Sequence, residues 1–216
     1  MKYKYILFDL DGTLTDPRVG ITKSVQYALE KTGIKGVALR ELERFIGPPL
    51  KESFMEFYSY DEQTVITAIK YYREYFQEQG IFENEVYQGI ADLLDQLTEQ
   101  DTINVVATSK PTVFAERIIE HFGLKKYFHS IVGSNLDGTR SSKAEIISYI
   151  IAKLNINTME DMVMIGDRKH DVIGAQWNNI DSIGVSYGYG TIEELRSVNP
   201  TFIVDSISEL SKLLVQ

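Results

Sequence analysis

The chain has 216 residues, 44% of them hydrophobic and 25% charged, which is enough for one globular domain, or a core with a smaller insert, to hold together without covalent staples. The lack of cysteine excludes disulfides, thiol nucleophiles and thiolate metal sites, and fits a reducing compartment. A net charge of −9 argues against nucleic acid or an anionic membrane as partner but not against a small anionic substrate in a local pocket, and no apolar run is long enough for a signal peptide or a bilayer span, so a cytoplasmic protein is expected.

In chain order, an apolar run over 3–8 predicts a first strand, which ends in Asp9. From about 19 to 79 the pattern is helical throughout, with Ile66, Ile69, Tyr72, Tyr75 and Phe76 at helical spacing and read as core packing. A linker over 80–87 returns the chain. Strands are then predicted over 103–107, 130–132, 162–165, 182–185 and 201–204. Helices are predicted over 111–122, 143–154, 172–178, 192–197 and 207–215. Pro111 suits a first helical turn, and Ser142/Glu145, Thr191/Glu194 and Ser206/Glu209 have capping-box spacing. Short apolar strands alternating with helices predict an α/β fold with a doubly wound parallel sheet buried on both faces. The divided chain predicts a core over 1–16 and 81–216, with an inserted helical cap over 17–80.

Four segments carry chemistry. In Phe8-Asp9-Leu10-Asp11-Gly12-Thr13-Leu14 a strand ends in two aspartates at i and i+2, whose side chains point the same way on an extended chain. Such a pair is costly unless a cation or proton lies between them. In Ala107-Thr108-Ser109-Lys110-Pro111 a strand ends in two hydroxyls and meets a helix start, as an anion site would. Lys143 sits at a helix N-terminus, the wrong end of the dipole for a cation unless an anion is near. In Gly166-Asp167-Arg168-Lys169-His170-Asp171 another strand ends in carboxylates. Alone, each has a structural reading: an Asp-Gly turn, a helix cap, a solvated lysine. Together they fall at the carboxyl ends of strands, where open α/β sheets bind ligands.

In this order the four segments resemble the haloacid dehalogenase superfamily. The Asp-x-Asp-Gly-Thr-Leu start is highly specific, and the likeness spans nearly the whole chain. Within the superfamily the chain is similar to the phosphoglycolate-phosphatase-like group with a helical cap, whose Thr-Asn-Lys-Pro is close to Thr108-Ser109-Lys110-Pro111. The resemblance implies a phosphatase in which Asp9 is the nucleophile and Asp11 the general acid and base. Thr108 and the Ser109 backbone would hold phosphoryl oxygens, with Lys110 also on the substrate side. Lys143 would neutralise charge, Asp9, Asp11 (through its carbonyl) and Asp167 would bind Mg²⁺, and Asp171 would orient them. A small phosphorylated metabolite is the expected substrate, phosphoglycolate first and a nucleoside 5′-monophosphate second, for a monomer or weak homodimer. Arg18 stands at the expected junction of core and cap and could offer a fork to a second anion, with the Gly47–Lys51 loop the other notable cap feature.

Other readings are weaker. A receiver domain also groups aspartates, Thr/Ser and Lys around Mg²⁺, but in another order and without a helical insert. Dehalogenases lack the second aspartate. The mutases of this group carry a cap histidine, and the chain's His121, His129 and His170 all lie outside the cap. A phosphonatase would need a cap lysine as a Schiff base, for which Lys23, Lys31 and Lys51 are available. An inactive binding module would not need the full set of catalytic residues.

Overall fold

The central strands of the main sheet form where the sequence runs apolar without polar alternation. The computed structural model describes residues 2–215. Its strands are β1 (Tyr5–Phe8), β2 (Thr15–Asp16), β3 (Glu85–Val86), β4 (Ile103–Pro111), β5 (Ser130–Ser134), β6 (Met162–Gly166), β7 (Asp181–Val185) and β8 (Phe202–Val204). Six of them make one parallel sheet in the order β5-β4-β1-β6-β7-β8, while β2 and β3 pair as a two-stranded ribbon. Ile6, Leu7 and Phe8 of β1 and Met162 to Ile165 of β6 are wholly buried, which explains their unbroken apolar runs. Leu7, Val105, Ala107, Met162 and Met164 share one face with Ile146, Ile147 and Ile150. Phe8, one residue on, turns to the opposite face and meets Phe128 edge-on.

The helices are α1 (Arg18–Lys31), α2 (Leu50–Tyr58), α3 (Glu62–Tyr75), α4 (Ile90–Glu99), α5 (Thr112–His121), α6 (Lys143–Leu154), α7 (Lys169–Trp177), α8 (Ile192–Ser197) and α9 (Ile207–Leu214). Helices α6 and α8 have the predicted bounds; most other elements differ by one or two residues at an end. Helix α7 begins three residues earlier than predicted, and β4 runs four residues further, past a register shift against β5 between Ala107 and Pro111. Helix α4 was not among the predicted elements. It starts after Gly89, in the left-handed region at φ 94°, and buries Ile90, Leu93, Leu94 and Leu97.

Of the three expected capping boxes only one is complete. Ser142 Oγ accepts the Glu145 N–H, and Glu145 accepts the Ser142 N–H. Thr191 and Ser206 cap their helices, but Glu209 accepts instead from Asp205 N, and Glu194 reaches away to α7.

The chain divides into two compact units, one running to Thr15 and from Val86 on, the other Asp16–Glu85. The second is helical: α1, a 3₁₀ segment Leu39–Phe45, α2, α3 and a π-helical turn Phe76–Gly80. The segment 81–85, expected with the core, groups with the helices, because Glu83 O accepts the Gly20 N–H and Lys23 pairs with the Glu83 carboxylate. The buried stripe of α3 also differs from the expected one. Val65, Ala68, Tyr72 and Phe76 face inward, with the Tyr72 and Phe76 rings stacked, whereas Ile66 is 63% exposed. Among the described residues no helix is long and apolar enough to cross a membrane.

Candidate active site

Strand order places the site. From β1 the chain moves to β4 and outward to β5; from β6 it moves the other way to β7 and β8. The neighbours β1 and β6 are therefore the point where winding reverses, which opens a crevice beyond their carboxyl ends. Phe8 pairs with Ile165 in register, and the Asp9 N–H donates to Ile165 O at 2.8 Å. Asp9 and Asp167, just past the ends of these strands, thus come to the same place.

Lys143 binds the site together. Its ammonium lies 2.7 Å from Asp9 Oδ1 and 2.8 Å from Asp171 Oδ1, and donates to Ala107 O at 2.8 Å. The side chain is 3% exposed, so the wrong-end penalty at the start of α6 is offset by two carboxylates and a carbonyl rather than by water. Burial pulls the lysine's pKa down, but Asp171 and Asp9 outweigh it and hold it above its ordinary value. Asp9 Oδ1 also accepts the Leu10 N–H at 2.8 Å. Asp171, in the first turn of α7, accepts the Arg168 N–H at 3.1 Å. Burial pushes its carboxyl up to about 6, with Lys143 pulling it back and Asp9 adding to the rise.

Asp167 is fully buried and takes the Tyr189 N–H on Oδ2 at 2.7 Å, while its Oδ1 has no hydrogen-bond partner. Burial, then the nearby Asp171 and Asp9 charges, push its pKa well above the carboxylate range. Carboxylate oxygens of Asp9, Asp167 and Asp171 lie within 4.8 Å of one another, with one ammonium among them. Two of these three buried carboxylates share the Lys143 ammonium and the third, Asp167, has an unsatisfied oxygen, a set that suits a hard divalent cation with oxygen ligands. The group formed by side chains contains Asp171 in place of Asp11, which was expected to contribute its carbonyl.

Asp11 points elsewhere. Its Oδ2 lies 2.8 Å from Lys110 Nζ, both side chains nearly buried, and its Oδ1 has no hydrogen-bond partner. Burial raises its pKa against the pull of Lys110. Gly12 turns the chain away at φ 82°, and a Cβ there would sit 2.2 Å from Asp167 Oδ2, so only glycine lets the first acidic motif approach the second so closely. Thr108 is buried at the end of the sheet, its hydroxyl accepting the Lys110 N–H at 3.3 Å. Ser109, half-buried, accepts the Ser134 hydroxyl on its carbonyl at 2.8 Å. Neither caps α5, whose N-cap position is Pro111 without a side-chain bond. In the helical unit, Arg18 begins α1, where Asp16 accepts its N–H at 2.9 Å and its guanidinium at 3.3 Å; Lys51 pairs with Glu62 at 3.1 Å.

Asp9, Asp167, Asp171 and Lys143 are thus brought into one cluster, with Asp11, Lys110 and Thr108 on the same unit. Sequence reasoning missed the pairing of Lys110 with Asp11 and the part played by Tyr187 to Gly190, although tyrosine alternating with glycine after a predicted strand was a signal for a close backbone approach.

The model of the haloacid dehalogenase-like hydrolases matches residues 6–185. The chain is 47% identical to a 5′-nucleotidase of Pseudomonas aeruginosa over 99% of its own length and 96% of that protein. It is 35% identical to the tyrosine-protein kinase PtkA of Mycobacterium tuberculosis, over 97% of the chain and 72% of the kinase. A crystal structure of a predicted phosphatase from Clostridium acetobutylicum superposes with a TM-score of 0.96 at 54% identity, over 100% of this chain and 99% of that one. The chain belongs to the haloacid dehalogenase-like hydrolase family, and within it to the phosphoric monoester hydrolases.

Proposed function

We propose that this phosphatase hydrolyses a nucleoside 5′-monophosphate through an aspartyl-phosphate on Asp9, with Mg²⁺ as cofactor. The observation that carries the reaction is the buried contact of Lys143 with both Asp9 and Asp171. A nucleophilic carboxylate must meet a phosphate dianion, and the ammonium offsets the repulsion between them. Asp9 takes the phosphoryl group. Asp11, whose pKa burial raises, gives its proton to the departing alkoxide and then accepts one from the attacking water. Thr108 and the Ser109 backbone hold phosphoryl oxygens. Asp171 keeps Lys143 charged and in place. Asp9, Asp167 and the Asp11 carbonyl would hold Mg²⁺, which when bound supplies charge stabilisation for the transferring phosphoryl group.

The nucleotide preference rests on the identity to the Pseudomonas 5′-nucleotidase across nearly the whole of both chains. Phosphoglycolate is the second reading, favoured by the Thr108-Ser109-Lys110-Pro111 motif. In the phosphoglycolate reading Arg18 is assigned to the carboxylate, as a fork for a second anion; a nucleoside monophosphate has no second anion, and there Arg18 is assigned to hydrogen-bond acceptors of the nucleoside.

A panel of nucleoside 5′-monophosphates, phosphoglycolate, phosphotyrosine and p-nitrophenyl phosphate tests this reading. A nucleotide should lead in kcat/KM by about tenfold or more, the margin expected when substrate-specific contacts add over 1 kcal/mol. Arg18→Ala should raise KM for the preferred natural substrate and leave p-nitrophenyl phosphate turnover largely intact. EDTA should abolish activity and Mg²⁺ restore it. Leadership by phosphoglycolate would shift the assignment to the second reading; full activity in metal-free buffer would remove the metal.

A further inference from the structure

The loop that follows β7, Ser186-Tyr187-Gly188-Tyr189-Gly190, touches both acidic motifs at once. Tyr187 donates its hydroxyl to Thr13 O at 3.0 Å. The Tyr189 N–H donates to Asp167 Oδ2 at 2.7 Å. Between them Gly188 lies so close that a Cβ would stand 2.3 Å from Gly12 O, 2.4 Å from Asp167 Cβ and 2.6 Å from Asp167 Oδ2. The Tyr187 ring is itself held edge-on by Tyr87, with centroids 5.3 Å apart.

The Leu10–Thr15 turn needs an outside anchor. Within it, Leu10 O accepts from Thr13, Leu14 and Thr15 N–H groups, and Gly12 N–H donates to Thr15 O. These bonds fix the turn's shape but not its approach to Asp167. The Tyr87 N–H on Leu14 O and Lys110 on Asp11 hold the turn from other sides; the loop after β7 links it to Asp167, because it bonds the turn through Tyr187, seats Gly12 O against Gly188 and bonds Asp167 through Tyr189.

The geometry points to Tyr187 and Gly188 as positioning residues of the cation site: they hold the Asp11–Thr13 backbone at a fixed distance from the Asp167 carboxylate. The inference rests on the metal reading above. Occupying Oδ2 of Asp167 with a backbone N–H leaves Oδ1 as the oxygen without a protein partner, and groups that orient a ligand set metal affinity strongly. Burial, with the Asp167 charge adding, pushes the Tyr187 phenol's pKa upward, so it stays a neutral donor across the working range.

Direct metal titration of the purified protein, counting free Mn²⁺ by its paramagnetic resonance signal, tests it. Mn²⁺ serves as a probe of the same oxygen site. Tyr187→Phe removes one hydroxyl and should raise the Mn²⁺ dissociation constant by roughly tenfold, the lower end of the range for lost orienting groups. Activity lost at low Mg²⁺ should return as Mg²⁺ is raised, and the melting temperature should move little. Gly188→Ala should weaken Mn²⁺ binding by roughly a hundredfold, with circular dichroism to show that it folds. An unchanged dissociation constant in a folded Tyr187→Phe protein overturns the inference and leaves the phosphatase reading intact, as does a lowered melting temperature with unchanged metal binding. Wild-type protein that binds no Mn²⁺ would remove the metal assignment and this inference together, while activity on phosphomonoesters without metal would identify that failure separately.

Discussion

Lys110 and Asp11 form a buried ion pair at 2.8 Å, with side-chain exposures of 6% and 11%. Removing one member of such a pair leaves the other charge unpaired and largely desolvated, at a cost of roughly 3–5 kcal/mol. Lys110→Met should therefore lower stability to urea by about that much. Lys110→Met combined with Asp11→Asn should recover most of the loss, since neither charge is then left alone; a double-mutant cycle with no coupling would show that the pair is not formed in solution. The sequence marked both residues as site candidates by motif, but not as partners. Which lysine meets which aspartate depends on the lie of β4 against the turn after β1, and no local pattern encodes that. Lys143 was more legible, because a lysine at the wrong end of a helix asks for an anion, and two are there. The Tyr189 N–H on Asp167 left no trace in the sequence, since every residue but proline carries a backbone donor.

At the scale of elements, one contact ties the start of the chain to β7. Asp181 accepts from Lys2 Nζ and Tyr3 OH, each at 2.7 Å on Oδ2, and from Thr201 Oγ1 at 3.1 Å on Oδ1. Burial raises its pKa, but these three bonds outweigh it and hold the carboxyl below its ordinary value. A depressed carboxylate stabilises the fold above its unfolded pKa, near about 4, and that contribution fades as the pH falls through the lower folded value. Asp181→Asn should thus cost about 1 kcal/mol at neutral pH, and the gap from wild type should close in urea titrations below about pH 4. A gap independent of pH would assign the cost to shape rather than charge. Helix α4 was legible in principle, because Ile90, Leu93, Leu94 and Leu97 have helical spacing. Glu194 was not, because capping-box spacing fits its own helix, yet its carboxylate accepts the Lys169 N–H and the Arg168 guanidinium, each at 2.9 Å, at the start of α7. A long-range partner outcompeted the local one.

For the whole molecule, alternating apolar runs and helices suffice to expect a parallel sheet, and the long helical stretch after the first strand to expect an insert. The order β5-β4-β1-β6-β7-β8 is a matter of crossovers, which strand-by-strand reading does not reach. The insert's return point shifted because Glu83 bonds back to α1 across a long stretch of sequence. Sheet order is also what gives Asp9 its setting, since it brings the ends of β1 and β6 together and lets Lys143 reach in from α6. The central claim, that this arrangement makes Asp9 the phosphoryl acceptor, can be tested by quenching the enzyme during turnover of p-nitrophenyl phosphate and reducing it with borohydride. Reduction converts an acyl phosphate of aspartate to homoserine, which peptide mass spectrometry locates. Homoserine should appear at position 9 in wild type and accumulate in Asp11→Asn, where the second step lacks its base. Asp9→Asn should lose roughly a thousandfold or more in kcat. Homoserine at another aspartate, or undiminished turnover in Asp9→Asn, would contradict it.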